Sequence, residues 1–473
     1  MIFSFSDHFR IDPEALAATG ALDPILGIDT RLFIDPRLLQ ETSAPELSSS
    51  ADKVRVHFES VLKLVANIAQ QDDVFWRQAD KMLTFPEVRG LCIGYSSGST
   101  AGRGMGVQKR ARLLDTTIRI VHAGVADPDI FELAGIFEEG IGPDLISDMV
   151  AKIIMEDLIA FTQRVCSDLG IPMEPLSVSA QRPQEDLPRN PVSGHPIILV
   201  PREILSQLPV ADSFLDIGWV ASFNEQLRQA LNQVLGSDWR ELSIRDKKHG
   251  LRETFVGTPD GLRVVLDKYR EVPADPYDFA SDPAGEVGWY PAAKAAVADN
   301  SLALSLGEAA GIDEVFEVVK KICEHYAFLL EDRQLCKLLY NKDRTLKHES
   351  AAQLLFVGIA SAYCEANSLD LSPESDAGRG PVDFKISSGF AGKVLVEVKL
   401  TSNPRLAHGF EKQLPIYMNA EKASKGIYLV IDVGEISEDR MNSFRSIVAK
   451  AGAQAPQVMY ANGIPQPSAS KAR

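Results

Sequence analysis

Charged residues interrupt two apolar runs in the C-terminal third of the chain. Asp383 lies within Pro381–Phe384, and Glu397 and Lys399 lie within Lys393–Leu400. Residues two apart on a strand point to the same face, so Glu397 and Lys399 are predicted to project side by side. A hairpin would bring Asp383 to the neighbouring strand. Converging carboxylates favour a hard divalent cation, Mg²⁺ or Mn²⁺, and an adjacent lysine can orient water or neutralise charge on a phosphate. This combination predicts metal-dependent phosphodiester hydrolysis.

The elements that must position these residues form a predicted α/β unit. Hydrophobic periodicity gives, in order, helices over Ile312–Tyr340 and Lys347–Asn367, strands over Pro381–Ser387 and Lys393–Leu400, a helix over Arg405–Lys422, a strand over Gly426–Asp432, a helix over Ser437–Ala451 and a strand over Gln457–Ala461. We therefore expect a small mixed sheet flanked by helices, preceded by a large N-terminal region of mixed α/β character.

Three motifs in this unit occur in a defined order. They are Gly380–Asp383 (GxxD), Glu397–Lys399 (E, hydrophobic, K) and Gln413–Tyr417 (QxxxY), the last on the predicted helix after the second strand. Together they resemble the PD-(D/E)XK nuclease superfamily, the restriction-endonuclease-like fold, and within it the RecB-like branch. The resemblance covers roughly residues 340–465. It implies a nuclease that uses Mg²⁺ or Mn²⁺ and acts on nucleic acid, more often DNA than RNA.

The resemblance also implies metal ligands. Asp383 and Glu397 would bind the cation, with help from the carbonyl of Val398. Glu349, on the helix before the sheet, corresponds to a carboxylate that serves many members as an outer metal or water ligand. His348 is the alternative at that helix position, because some RecB-like members use a histidine there.

The remaining catalytic roles follow from the same resemblance. Lys399 would be the catalytic lysine, and Gln413 and Tyr417 would position it or contact the substrate. The family core has a further strand before the GxxD strand, and here only 368–372 could supply it, followed by a loop over Pro373–Gly380. The alternative without a catalytic role is that Glu397 and Lys399 form an exposed ion pair on an edge strand.

Proline-rich and polar stretches divide the chain into regions. Gln181–Pro196 contains four prolines and is typical of a linker or a long surface loop. The predicted division is an N-terminal region 1–180 for recognition, regulation or oligomerisation, a middle region 181–310, the nuclease domain 311–465 and a flexible tail 466–473. A short strand is predicted over Ile197–Val200.

A GxSxG sequence in the N-terminal region suggests another chemistry. Gly94–Gly98 places Ser96 after a predicted strand, Val88–Ile93, as in the nucleophile elbow of α/β-hydrolases. That elbow must open into a helix, whereas a glycine-rich stretch follows here. A serine hydrolase using Ser96 is therefore a minor alternative.

Two basic clusters could contact a nucleic-acid backbone. The residues concerned are Arg103, Lys109, Arg110 and Arg112 in the first cluster, and Lys247 and Lys248 in the second. Solvated helix or loop faces are the alternative interpretation. The net charge of −16 lies entirely in residues 1–310, since residues 311–473 hold equal numbers of acidic and basic residues. This distribution points away from the N-terminal half as the main phosphate contact.

Composition limits the class of protein further. The five cysteines are scattered and never form CxxC, which argues for buried thiols and against a disulfide framework or a zinc site. No apolar run approaches the length of a membrane span, and the expected location is cytoplasmic. We expect a metal-dependent nuclease, with bacterial defence against foreign DNA as one role. A non-catalytic binding protein with a degenerate nuclease fold is the alternative. The sequence leaves open whether the protein forms a homo-oligomer, binds a partner chain or responds to an activating ligand.

Overall fold

The structure is a computed structural model. It describes residues 3–85, 88, 90–94, 106–138, 141, 143–179, 182–206, 249–250, 252–253, 257, 259–271, 273–282, 286–300, 302, 311–341, 344–347, 349–366, 370–376, 381–388, 392–434, 436–452 and 455–465. At some of these positions, among them Asp383, the backbone alone is described.

The chain forms two compact units. One comprises Ser4–Tyr95 with Thr100–Tyr277, and the other consists mainly of Asp278–Arg473. The helices of the first unit, α1 to α9, are Phe5–Phe9, Pro13–Ala18, Ser50–Val65, Val74–Met82, Val107–His122, Ala134–Phe137, Pro143–Ile153, Met155–Asp168 and Pro259–Glu271. The first six strands, β1 to β6, are Phe3–Ser4, Ile25–Leu26, Phe33–Ile34, Glu174–Leu176, Glu185–Leu187 and Leu205–Ser206.

The N-terminal unit is built around α3. This helix buries Val54, Phe58, Val61 and Val65, a spacing of three or four residues that forms one apolar stripe. The stripe packs against α4 and α5. The ring of Phe58 also stacks on Phe131, with a centroid distance of 4.6 Å. Burial of this stripe therefore holds the helices together.

The predictions of two short strands in this unit are wrong. The described residues of Val88–Ile93 form no strand. Ile93 makes an isolated β-bridge to Thr30, and Gly90 and Cys92 both have positive φ angles, which a strand does not allow. Residues of Ile197–Val200 are buried but form no strand, since their backbone groups bond to separate segments. The segment Gln181–Pro196 includes β5, which pairs with β4.

The C-terminal unit contains the main sheet. Its helices, α10 to α15, are Trp289–Asp299, Ile312–Glu331, Glu349–Ala366, Leu406–His408, Leu414–Glu421 and Glu438–Lys450. Its strands, β7 to β11, are Asp370–Asp376, Pro381–Ser388, Gly392–Leu400, Lys425–Asp432 and Gln457–Asn462. The predicted helices and strands of this unit are confirmed in type and order. The helix predicted over Ile312–Tyr340 is shorter than expected: it ends at Glu331, and Gln334 has a positive φ angle that an α-helix does not allow. The strand expected at 368–372 is β7, which extends into the segment predicted as a loop.

The sheet has the order β11-β10-β9-β8-β7. Strand β8 runs antiparallel to β7 and β9, whereas β10 runs parallel to β9 and β11. Parallel neighbours need a crossover, and here α13 and α14 connect β9 to β10 while α15 connects β10 to β11. The sheet is thus small and mixed, with β9 at its centre.

Helices cover both faces of this sheet. On one face, Phe384 of β8 contacts Phe356 of α12, which contacts Tyr326 of α11. On the other, Leu395 of β9 belongs to a buried cluster that includes Leu414 of α14 and residues of α15. The expectation of a mixed α/β fold with a helix-flanked C-terminal sheet is confirmed.

The cysteines are buried, as predicted. All five are free thiols. Burial raises the pKa of the Cys166 thiol to about 12, which keeps it in the unreactive protonated form. Among the residues that the structure describes, no helix combines the length and apolar character needed to cross a bilayer.

Candidate active site

Lys399 lies between two carboxylates. Its Nζ is 2.9 Å from Oε1 of Glu397 and 3.1 Å from Oε1 of Glu349. Glu397 is 3% exposed and Lys399 is 8% exposed. Burying charged groups costs free energy unless they are paired, so this arrangement depends on all three side chains.

The central strand β9 explains this burial. In the parallel register with β10, Glu397 pairs with Tyr428 and Lys399 pairs with Val430. Strand β8 covers the other side of β9. The alternative prediction of an exposed ion pair on an edge strand is therefore wrong.

Glu349 reaches the site from the first turn of α12. Its Oε2 accepts a hydrogen bond of 2.9 Å from the backbone N–H of Leu400, at the carboxyl end of β9. Asn403 donates through Nδ2 to both carboxylate oxygens, at 3.1 and 3.0 Å. Three protein donors therefore hold this carboxylate, counting Lys399.

Asn403 is itself fixed by its neighbours. Its backbone N–H donates to the carbonyl of Leu400 at 3.0 Å, and its Oδ1 accepts from the N–H of Arg405 at 2.8 Å. The guanidinium of Arg440 donates to its carbonyl. The sequence-based analysis missed Asn403. The one available signal was an Asn-Pro turn directly after the strand that carries the candidate lysine.

The backbone of Asp383 lies close to the same strand. Phe384 pairs with Val396, and Asp383 and Glu397 are the next residues along their strands from this pair. The register therefore puts Asp383 beside the part of β9 that carries Glu397. Val398 lies between Glu397 and Lys399, is buried, and pairs with Leu429.

The QxxxY element lies on an irregular helix. Gly409–Gln413 is a π-helical segment that leads directly into α14. A Cβ atom on Gly409 would lie 2.3 Å from Oη of Tyr428, so this position accepts only glycine without rearrangement. Gln413 is half-buried at the end of the segment, and Tyr417 is buried in the cluster around Leu395. Both residues thus belong to the helix packed over β9.

The described side chains hold no complete metal cluster. No group of three or more His, Cys, Asp or Glu side chains suited to a metal occurs among them, and Asp383 is not included in that set. Two carboxylates, those of Glu349 and Glu397, nevertheless meet at the single amino group of Lys399. Carboxylate oxygens are the ligands that Mg²⁺ prefers.

The basic residues predicted to contact nucleic acid differ in burial and in their ion-pair partners. Arg110 forms a two-bond ion pair with Asp80, at 2.5 and 3.1 Å, and its side chain is 12% exposed. Lys109 is half-buried, and Arg112 is exposed on α5. Outside the described residues lie Arg103, Lys247, Lys248, Ser96 and His348.

Comparisons with known proteins give two family matches. A model described as "Domain of unknown function (DUF8370)" matches residues 10–212, and one described as "Domain of unknown function (DUF8371)" matches residues 315–435. Each covers less than half of the chain. The second match spans the candidate active site from Glu349 to Tyr417. No curated protein and no solved structure matches the chain.

Proposed function

We propose that the C-terminal unit is a divalent-metal-dependent nuclease with a restriction-endonuclease-like core. The observation that carries this proposal is the placement of Lys399 between Glu397 and Glu349 on a buried central strand. A buried group of this kind contributes less stability than well-packed apolar side chains would. Its presence at the carboxyl end of β9 therefore supports a catalytic role.

The residues fit a divalent cation in charge and ligand type. Glu397, Glu349 and Asp383 would bind the cation. In the register of β8 and β9, the backbone of Asp383 lies beside Glu397. The single ammonium of Lys399 leaves the pair of glutamates with excess negative charge, which a hard cation would neutralise. When bound, Mg²⁺ or Mn²⁺ supplies Lewis acidity towards a phosphate oxygen.

The chain's own residues have distinct tasks in this proposal. Lys399 presents a positive charge, fixed in place by two carboxylates, to the negative charge that develops on the scissile phosphate. Asn403 and the N–H of Leu400 hold Glu349 in its orientation. The contacts of Lys399 with both carboxylates orient it in advance, so little reorganisation would be needed at the moment of reaction.

DNA is the proposed substrate. The support is the resemblance of the three motifs to the RecB-like branch, most of whose members act on DNA. The acidic N-terminal half would repel the phosphates of DNA. We therefore expect the substrate to bind at the C-terminal unit.

The test is a cleavage assay with purified full-length protein. Wild type and Lys399→Ala are incubated with supercoiled plasmid, linear duplex, single-stranded DNA and structured RNA, each with Mg²⁺, Mn²⁺ or EDTA. We expect metal-dependent cleavage of DNA by wild type and a loss of about a hundredfold or more in Lys399→Ala. Cleavage of supercoiled plasmid identifies an endonuclease, since an exonuclease needs an end.

A matched control separates catalysis from general charge effects. Lys385 on β8 also pairs with a glutamate, Glu421, at 3.3 Å, and its side chain is 20% exposed. Lys385→Ala should retain most of the activity. Cleavage of RNA alone would correct the substrate. Absence of cleavage from every substrate, or equal loss in both lysine variants, would contradict the proposed catalytic site.

A further inference from the structure

A pocket of about 450 Å³ lies in the N-terminal unit, apart from the candidate active site. One wall is a stripe of α5, in which Ala111, Asp115, Ile118 and His122 follow the helical spacing of three or four residues. The volume is within the range of about 300–1,000 Å³ that is typical of small-molecule sites.

Two guanidinium groups line this pocket. Arg112 is exposed on α5. Arg252 is held in place, with Nη2 2.8 Å from Nδ1 of His249 and Nε 3.4 Å from Oε1 of Glu253. Asp115 is the one carboxylate among the lining residues that the structure describes. Among the described lining residues the arginines therefore outnumber the acids.

A buried acid lies behind Arg252. Oε2 of Glu138 is 3.9 Å from Nη1 of Arg252, and the hydroxyl of Thr116 donates to the same carboxyl group. Burial raises the pKa of Glu138. A guanidinium carries five N–H donors, so Arg252 can bind an anion while it keeps its contacts with Glu138 and Glu253.

The lining also includes an aromatic ring, the indole of Trp76. Trp76 lies in the first turn of α4, and the carboxylate of Asp73 accepts hydrogen bonds from the N–H groups of Trp76, Ala69 and Gln70, at 2.7, 2.9 and 3.3 Å. These bonds cap α4 and hold the loop before it. The backbone that carries the indole ring of Trp76 is thus held in place.

We propose that this pocket binds a nucleoside phosphate. The base would stack on Trp76, the phosphate would bind Arg112 and Arg252, and Asp115 would accept a hydrogen bond from a ribose hydroxyl or a base amino group. Guanidinium groups match phosphate geometry, and an indole face accepts any base. The proposal is independent of the nuclease activity proposed for the C-terminal unit.

Calorimetric titration of the full-length protein tests this site. The probes are ATP, GTP, CTP, UTP, AMP, adenosine and pyrophosphate. We expect at least one nucleotide to bind, with adenosine and pyrophosphate each about tenfold or more weaker, because each makes only part of the contacts. Trp76→Ala should weaken nucleotide binding about tenfold or more, and Arg112→Ala should remove the advantage of nucleotide over nucleoside.

Matched variants make the outcome specific. Phe75→Ala removes the neighbouring ring on α4, which is 40% exposed and outside the pocket. Arg55→Ala removes an exposed arginine of α3. Both should bind like wild type, and circular dichroism verifies that every variant is folded. Failure of all nucleotides to bind folded wild type, or binding that Trp76→Ala and Arg112→Ala leave unchanged, would overturn the proposal.

Discussion

Replacement of Lys399 by methionine is expected to destabilise the C-terminal unit. Each contact of its Nζ, at 2.9 and 3.1 Å, corresponds to an attraction of about 5 kcal/mol at an effective dielectric constant of about 20. Desolvation offsets much of this attraction. Removing one partner of a buried pair costs about 3–5 kcal/mol, and we expect about 3 kcal/mol because Leu400 and Asn403 still hold Glu349.

Scanning calorimetry of the full-length protein at neutral pH measures this effect. A loss of about 3 kcal/mol in a unit of this size lowers Tm by about 6–12 °C. The double variant Glu397→Leu/Lys399→Met, which makes the buried pair apolar, should regain most of this loss and stay inactive. Lys385→Met, which breaks a more exposed pair, is the control. A decrease in Lys399→Met no larger than in this control would refute the reasoning.

Three further predictions concern single residues. Asn403→Ala should slow cleavage about tenfold or more, since Glu349 loses two hydrogen bonds, and the readout is kcat at saturating substrate. Burial raises the pKa of Glu132 to about 8, above its unfolded value, so its stabilising contribution is complete at low pH and is lost as the pH rises towards 8. Glu132→Gln should therefore flatten the decrease of Tm between about pH 5 and 9. Gly409→Ala should lower Tm by several degrees and impair cleavage, because its Cβ would lie 2.3 Å from Oη of Tyr428.

Each of these predictions has its own control. Asn419→Ala changes an exposed asparagine of α14 and should leave kcat unchanged. Gly452→Ala adds a Cβ in open space and should leave Tm unchanged. A Glu132→Gln protein with the same dependence of Tm on pH as wild type would contradict the raised pKa of that carboxyl group.

Local patterns were sufficient to predict most elements of the C-terminal unit. The prediction of a helix over Lys347–Asn367 corresponds to α12 at Glu349–Ala366, and the strand over Gly426–Asp432 corresponds to β10. These segments have clear periodicity or an unbroken apolar run, and tertiary packing reinforces both. Strand β7 was only partly predicted, because it contains Pro373 and several polar residues. It is an edge strand, where proline is tolerated, and pairing with β8 defines it.

The irregular N-terminal unit was harder to predict from local patterns. A strand over Val88–Ile93 was expected from apolar residues, yet the positive φ angles of Gly90 and Cys92 follow from contacts distant in sequence. Ile198 N–H bonds to the carbonyl of Gly90, for example. Such contacts leave no periodic signal.

In the candidate site, too, some contacts follow from the local sequence and others depend on tertiary structure. The adjacency of Glu397 and Lys399 follows from strand alternation alone. The approach of Glu349 to Lys399 joins residues 50 positions apart, and only the motif resemblance suggested it. Asn403 had no such support, since its role depends on the position of α12 relative to the end of β9.

The most direct test of the nuclease proposal is plasmid cleavage during metal removal and restoration. Wild type, Glu397→Gln and the control Glu421→Gln are assayed in EDTA and again after excess Mg²⁺ is added. We predict that wild type and Glu421→Gln are inactive in EDTA and recover with Mg²⁺, while Glu397→Gln stays inactive in both. Cleavage that persists in EDTA, or full activity of Glu397→Gln, would contradict the proposal.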